Sequence, residues 1–404
     1  MKAVKTIAAL IFLTALGIVL VQPVLGADDE PEKGKTKTAA EPSEPPETPD
    51  GGDDEPDDSP RSLTLIGYPG RCLQEVPPAT TGLVAARRGS TVSIGLPGRG
   101  PIARSDVDGD VSWSPSGRFL VDRGGQLLDP TGAPVEKVFH RPGEWQWSPA
   151  ADCVVAMTDG GNLTVGVAGT KKLGRVLLNA SVADFDLSPN GRRLALVLKD
   201  EPSLWIAELD EGTVRRVTES RASLFGWFSN RSVLFSKSPG SGKLRYADGR
   251  GRARVVKGAF ASTTLNRCGG RVLLTALATE SDAPLAELVS RDGRIERAVL
   301  PGTPAAYAGF SAASCSPDGG FVVASALTRS GERGPLVLLQ PDGTLVRELV
   351  PGRTANPTWT SQGVLFVRFG AAGRGRLWFI PPNGAPAPTA YTVGAPTQYD
   401  WAAS

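Results

Sequence analysis

The sequence predicts an all-β chain folded as a β-propeller of four-stranded blades, and three observations carry that expectation. Glycine and proline number 48 and 34 of 404 residues while methionine occurs twice, a composition of short strands and tight turns. A pattern then returns along the chain: an alternating strand, a Trp-Ser-Pro or near equivalent, a glycine turn and an apolar strand. It stands at 109–121, 143–149, 184–191 and 312–319, with weaker copies at 224–230, 263–270, 356–363 and 398–401. Aligned on Trp113, the copies place Trp113, Trp147, Leu187, Trp227, Asn266, Cys315, Trp359 and Trp401 in register, about 41 residues apart, which is the period of four short strands. Eight blades are expected. Seven is the alternative, if the shorter step from Trp113 to Trp147 hides an incomplete blade.

Taken in order, the chain opens with Lys2 and Lys5, an apolar run over 6–21, Gln22-Pro23 and a small-residue end at Gly26. This pattern reads as an export signal over 1–26. The alternative is an uncleaved signal anchor, although the run falls slightly short of the roughly 20 residues of a membrane span. Either way the remainder is expected outside the cytoplasm (periplasmic, envelope-bound or secreted), touching a membrane only through this segment if it is retained. Residues 27–61 form an acidic, proline-rich linker; between 27 and 60 there are thirteen Asp and Glu against three Lys. Such a segment buries too little apolar surface to offset the entropy of ordering and is expected to be a disordered spacer.

Residues 62–404 are left for the propeller. From 61 onward the chain carries 39 Lys and Arg against 29 Asp and Glu, a net charge of +10. A basic domain of this kind suits an anionic partner through salt-screened attraction.

Within the propeller, 82–87, 91–95 and 101–104 read as strands two to four of a blade that lacks its first strand, and 397–401 reads as a first strand with nothing after it. Joining them would close the ring and remove an exposed sheet edge. Between these ends the plan repeats. Apolar second strands lie at 118–122, 194–198, 233–236, 272–276, 321–325 and 364–369, and third strands at 204–209, 336–339 and 377–380. Asp248-Gly249, Asp292-Gly293, Asp342-Gly343 and Asn383-Gly384 supply the positive φ that tight hairpins require.

Trp113-Ser-Pro-Ser-Gly117, Leu187-Ser-Pro-Asn-Gly191 and Cys315-Ser-Pro-Asp-Gly319, each followed by a short apolar strand, resemble the WD40-like repeat of the TolB-like propeller superfamily. The resemblance covers roughly 80–404 and implies an extracytoplasmic protein-binding platform. The acidic linker stands where TolB has a folded N-terminal domain, so that protein's partners do not carry over.

Enzymatic readings meet a thin inventory. His140 is the single histidine, it precedes Arg141-Pro142 in a loop, and no Gly-x-Ser-x-Gly elbow accompanies it. A haem would need Cys-x-x-Cys-His. Ser238–Lys243 resembles a phosphate loop but lacks its first glycine and its helix. Zinc is disfavoured by four dispersed cysteines. No cofactor is expected, and no nucleic-acid partner.

One constellation remains. In a strand alternate residues share a face, and the first strand of a blade is the innermost. The residues one and three before the aligned position are Gln398 and Asp400, Asp110 and Ser112, Glu144 and Gln146, and Asp184 and Asp186 in four consecutive blades. The other four blades offer Leu224 and Gly226, Thr263 and Leu265, Ala312 and Ser314, and Asn356 and Thr358. Asp110, Glu144, Asp184, Asp186 and Asp400 are therefore the candidates for lining the channel, where they would hold a calcium ion with Asp106 and Asp108 adjacent, receive a basic peptide, or simply pair with neighbouring arginines.

Four cysteines in an exported chain suit two disulfides with three possible connectivities. The turn positions favour Cys268 with Cys315, leaving Cys72 for Cys153. The expected function is that of an exported, non-catalytic binding scaffold for a protein or an anionic envelope polymer. The alternatives are a propeller enzyme acting on envelope glycan through the acidic channel residues, and a cation-stabilised structural module.

Overall fold

A computed structural model describes residues 63–404 apart from 79–80, 141, 173, 219–220, 237–243, 249–252, 256–261, 269–270, 278–283, 291–297, 300–306, 342, 383, 394–397 and 402–404, with side-chain burial left undescribed over 256–306. The export signal and nearly all of the acidic linker lie outside the described residues. So do Arg141 of the His140 loop, the Lys237–Lys243 hairpin, and the Asp-Gly and Asn-Gly turns at 248–249, 292–293, 342–343 and 383–384 in whole or part. The described residues belong to the unit Arg61–Ser404.

The fold is an all-β propeller with four-stranded blades. Strands pair antiparallel with their sequence neighbours, and the only helical turn among the described residues is the 3-10 turn Gly70–Leu73. Six four-stranded sheets stand separately and a seventh sheet has seven strands. The described residues therefore do not show the expected eight, or seven, four-stranded blades as separate units, and the cause is one long strand. Arg175–Leu187 pairs through Val176 and Arg175 with Thr164 and Val165, and through residues 182–187 with Arg193–Leu198. An outer strand thus runs without a break into the next inner strand, fusing two sheets.

The first and last strands of the described residues meet in one sheet. Val84–Arg88 pairs with Thr91–Gly95 on one side and with Gln398–Trp401 on the other, in the register Val84 to Trp401 and Arg87 to Gln398. Val84 and Ala86 of this sheet pack with Leu365, Val367, Leu377 and Tyr391 of the preceding one.

Burial explains why the second strands read as unbroken apolar runs. Arg193–Leu198, Ser232–Ser236, Val322–Thr328 and Gly363–Phe369 are each buried along five or more consecutive residues. A strand sandwiched between two neighbouring sheets has no solvent face and loses alternation. The core accordingly sits between sheets: Ala195, Val197, Leu204 and Ile206 pack on Trp227, Val233 and Phe235 of the next blade, and Val323 and Leu336 pack with Val364 and Phe366.

The Ser-Pro-x-Gly turns are built alike. Ser114, Ser188 and Ser316 are buried, and their amides donate to the carbonyls of Phe119, Arg193 and Phe321 at 2.8–2.9 Å. The hydroxyls of Ser188 and Ser316 accept from the amides of Arg193 and Phe321, both at 2.9 Å. Gly117, Gly191 and Gly319 take φ of 66°, 65° and 71°, the left-handed conformation that glycine adopts without steric cost.

The N-terminal extension clasps one blade. Leu65 bridges Leu178, the amide of Ile66 donates to Leu177 O at 2.9 Å, and Leu63, Tyr68 and Leu73 pack on the core of the seven-stranded sheet. Cys72, buried at the 3-10 turn, is bonded to Cys153, 81 residues away. Cys315 is also in a disulfide; the side chain of Cys268, its expected partner, lies outside the described residues.

Candidate functional site

The inner strands put the polar row where alternation places it, but the two positions in each strand do different things. In four of the strands the residue immediately before the aligned position fastens its blade to the next. Asp400 Oδ2 accepts from the amide of Trp113 at 2.6 Å, Asp186 Oδ2 from the amide of Trp227 at 2.8 Å, and Ser314 Oγ from the amide of Trp359 at 2.9 Å. Gln146 Oε1 accepts from Leu187 N at 3.2 Å while its amide nitrogen donates to Asp186 Oδ1 at 2.8 Å.

Two tryptophan side chains donate in the same direction, from the following blade to the preceding one. Trp147 Nε1 donates to Ser112 O at 3.0 Å and Trp227 Nε1 to Asp186 O at 2.9 Å. A buried amide at a blade seam needs an acceptor, and aspartate, glutamine and serine at this position supply it. Asp186 and Asp400, expected as channel ligands, thus have oxygens committed to the seams between sheets.

The positions two residues earlier are less committed. Asp110 is exposed and forms an ion pair with Arg87 at 3.3 Å. Glu144 is exposed and Asp184 half-buried. These two, with Asp186, form an electrostatic group. Burial, then the neighbouring Glu144 and Asp186 charges, push the Asp184 carboxyl up to about 7, since desolvation and like charges both disfavour ionisation. The structure therefore groups Glu144, Asp184 and Asp186. It gives Asp110 an arginine and Asp400 a backbone amide.

The Asp106–Asp110 segment is also accounted for locally. Asp106 meets the Thr91 hydroxyl at 3.5 Å, and the Asp108 amide donates to Asp122 Oδ2 at 2.9 Å. Among the described residues no three His, Cys, Asp or Glu are grouped as ligands for a metal ion.

Two structural carboxylates escaped the sequence reading. Asp122 accepts from Asp108 N and Gln126 N at 2.9 and 2.8 Å and so shapes the turn after the first full second strand. Asp152 receives Ser116 Oγ at 2.6 Å and Arg118 at 3.1 Å, tying the Ser-Pro-Ser-Gly turn of one blade to the next blade. Asp152 follows the second Ser-Pro by three residues, where the other strong copies carry glycine or a glycine neighbour. That departure is the only sequence signal it gives.

No family model matches the sequence, and no curated protein matches it. Solved structures similar to the chain include dihydro-heme d1 dehydrogenase NirN in complex with DHE, 16% identical over 82% of this chain and 79% of that one with a TM-score of 0.56. They also include the Cps50 (Swd1) β-propeller domain of Myceliophteria thermophila, 16% identical over 73% and 99% of the two chains with a TM-score of 0.47. TolB from Acinetobacter baumannii is a third, 14% identical over 81% and 68% with a TM-score of 0.38. At such identities the likeness is one of fold.

Proposed function

We propose that this chain is an exported, non-catalytic propeller that serves as a binding scaffold for a protein or an anionic cell-envelope partner. The observation that carries this reading is the use made of the inner polar row. Gln146, Asp186, Ser314 and Asp400 hold backbone amides of the following blade. Such a row rigidifies a platform and leaves few groups free for chemistry. A basic propeller unit of net charge +10 over 61–404 supplies attraction for an anionic partner. The Cys72–Cys153 bond suits an oxidising compartment outside the cytoplasm.

The architecture that goes with this function is a ring of eight blades. That number is supported if the seven-stranded sheet is counted as two blades that share Arg175–Leu187, and the pairing of Gln398–Trp401 with Val84–Arg88 supports closure. Deleting residues 398–404 removes the closing strand and the Asp400 acceptor together. It is expected to lower the melting temperature sharply, whereas an unchanged melting temperature would contradict closure.

A second reading rests on Asp184, whose carboxyl is held up to about 7 beside Glu144. A protonated acid next to a carboxylate is the pairing that glycoside hydrolysis uses. Affinity capture from envelope extract at low and high salt, run beside a glycan panel, tests both. A salt-sensitive partner with no turnover supports the scaffold. Turnover abolished by Asp184→Asn supports the enzyme and refutes the scaffold as the primary role.

A further inference from the structure

We infer that a cleft of about 650 Å³ between the N-terminal clasp and the outer hairpin beneath it binds an acidic peptide segment carrying an apolar side chain. The inference deepens the scaffold reading by giving it a site and a ligand chemistry, with a lining that shares no residue with the inner polar row. The cleft is lined on the clasp side by Ile66 and Arg71, and on the blade side by Val167, Lys172, Arg175 and Val176.

The charge is one-sided. Arg71, Lys172 and Arg175 are exposed, and none of them has a carboxylate partner among the described residues. The apolar lining is equally uncovered: Ile66 is 59% exposed and Val176 46%. Three cations around an exposed aliphatic floor match a ligand that brings carboxylates and an apolar group together. Arginine suits carboxylates in particular, because its planar fork pairs bidentately with them.

Both walls are held in place before any ligand arrives. The loop that carries Lys172 is gathered around Glu136, whose two carboxylate oxygens accept from the amides of Gly169 and Lys171. Lys171 takes a φ of 54° to make this possible, and Thr170 Oγ1 donates to Val167 O at 2.8 Å. The opposite wall is fixed by the Ile66–Leu177 hydrogen bond and by the Cys72–Cys153 disulfide. Fixed walls reduce the ordering cost of binding. A concave site of this volume also fits a few side chains better than it fits a bilayer, which would need a broad convex or flat patch.

The test uses the full chain and the N-acetylated, C-amidated pentapeptide Glu-Glu-Leu-Glu-Glu as probe, in isothermal titration at low salt. Parallel titrations use Glu-Glu-Gly-Glu-Glu, the lysine counterpart, and anionic phosphatidylglycerol vesicles. Binding of the leucine probe, weaker binding of the glycine probe and none of the lysine peptide are expected. The variant Lys172→Glu with Arg175→Glu should weaken the leucine probe at least about tenfold, since both partners of an attraction become like-charged. Ile66→Ser, which leaves the charges alone, should remove the preference for leucine over glycine.

Unchanged affinity in both variants would overturn the cleft as the site while leaving the scaffold reading standing. No probe binding by the wild type, or binding to vesicles alone, would overturn the peptide assignment itself. The scaffold reading fails separately, if envelope capture yields nothing and a glycan is turned over.

Discussion

Replacing Asp186 by alanine isolates the seam between two blades. Its Oδ2 holds the amide of Trp227, a residue with 0% exposure, at 2.8 Å, and its Oδ1 receives the Gln146 side-chain amide at the same distance. The buried Trp227 amide then has no acceptor, which costs about 1–3 kcal/mol, and the lost charge-assisted bond from Gln146 adds to this. Part of the loss returns, because Asp184 is relieved of a like-charged neighbour. The net expectation for Asp186→Ala is a loss of about 2–4 kcal/mol, with Asp186→Asn, which retains one carbonyl oxygen, losing roughly half as much.

The assay is equilibrium guanidinium denaturation followed by tryptophan fluorescence. It should be run as a cycle with Gln146→Ala to read the coupling, expected above about 0.5 kcal/mol for groups in direct contact. A loss below about 0.5 kcal/mol for Asp186→Ala, or zero coupling to Gln146, would refute the seam role. Asp186 would then return to the candidates for ligand binding.

Three further outcomes follow from the same geometry. Because the Asp184 carboxyl is raised to about 7 from its ordinary 3.8, the folded state holds its proton more tightly than the unfolded state. Stability is then lost as pH rises from about 4 to about 7 and stays low above that. Asp184→Asn should stabilise the protein by at least about 1 kcal/mol at pH 8 and by less at pH 5, as read by denaturation at both. Removing the Cys72–Cys153 bond by a double serine substitution should cost about 2–5 kcal/mol, the usual effect of cutting a long disulfide loop, measured as a melting shift. At Lys171, where φ is 54°, valine should destabilise by at least about 1 kcal/mol while glycine is tolerated, again by denaturation.

The repeat made the fold readable because burial enforces it. The Ser-Pro-x-Gly turn needs a buried serine and a left-handed glycine, so in three blades Ser114, Ser188 and Ser316 with Gly117, Gly191 and Gly319 repeat in phase. The fusion of two blades through Arg175–Leu187 was not readable, since nothing local in 175–182 marks the absence of a break.

The site was legible in part. Alternation placed Asp184 and Asp186 in the inner row, but the choice between ligand and seam depends on which amide lies opposite. Trp227 is 41 residues from Asp186, and Trp113 is 287 from Asp400. The cleft was invisible for the same reason: Ile66 and Arg71 meet Lys172 and Arg175 only once the disulfide and the Leu65–Leu178 bridge bring the clasp to the blade.

The most direct test of an anionic-peptide scaffold is to locate the bound probe. Carbodiimide coupling joins the carboxylates of the Glu-Glu-Leu-Glu-Glu peptide to nearby lysines of the full chain, and the products are mapped by mass spectrometry. The geometry predicts coupling at Lys172, beside Arg175 in the cleft. Coupling concentrated instead at Lys199, whose amine lies on the Asp159 carbonyl at the end of a different hairpin, would contradict it.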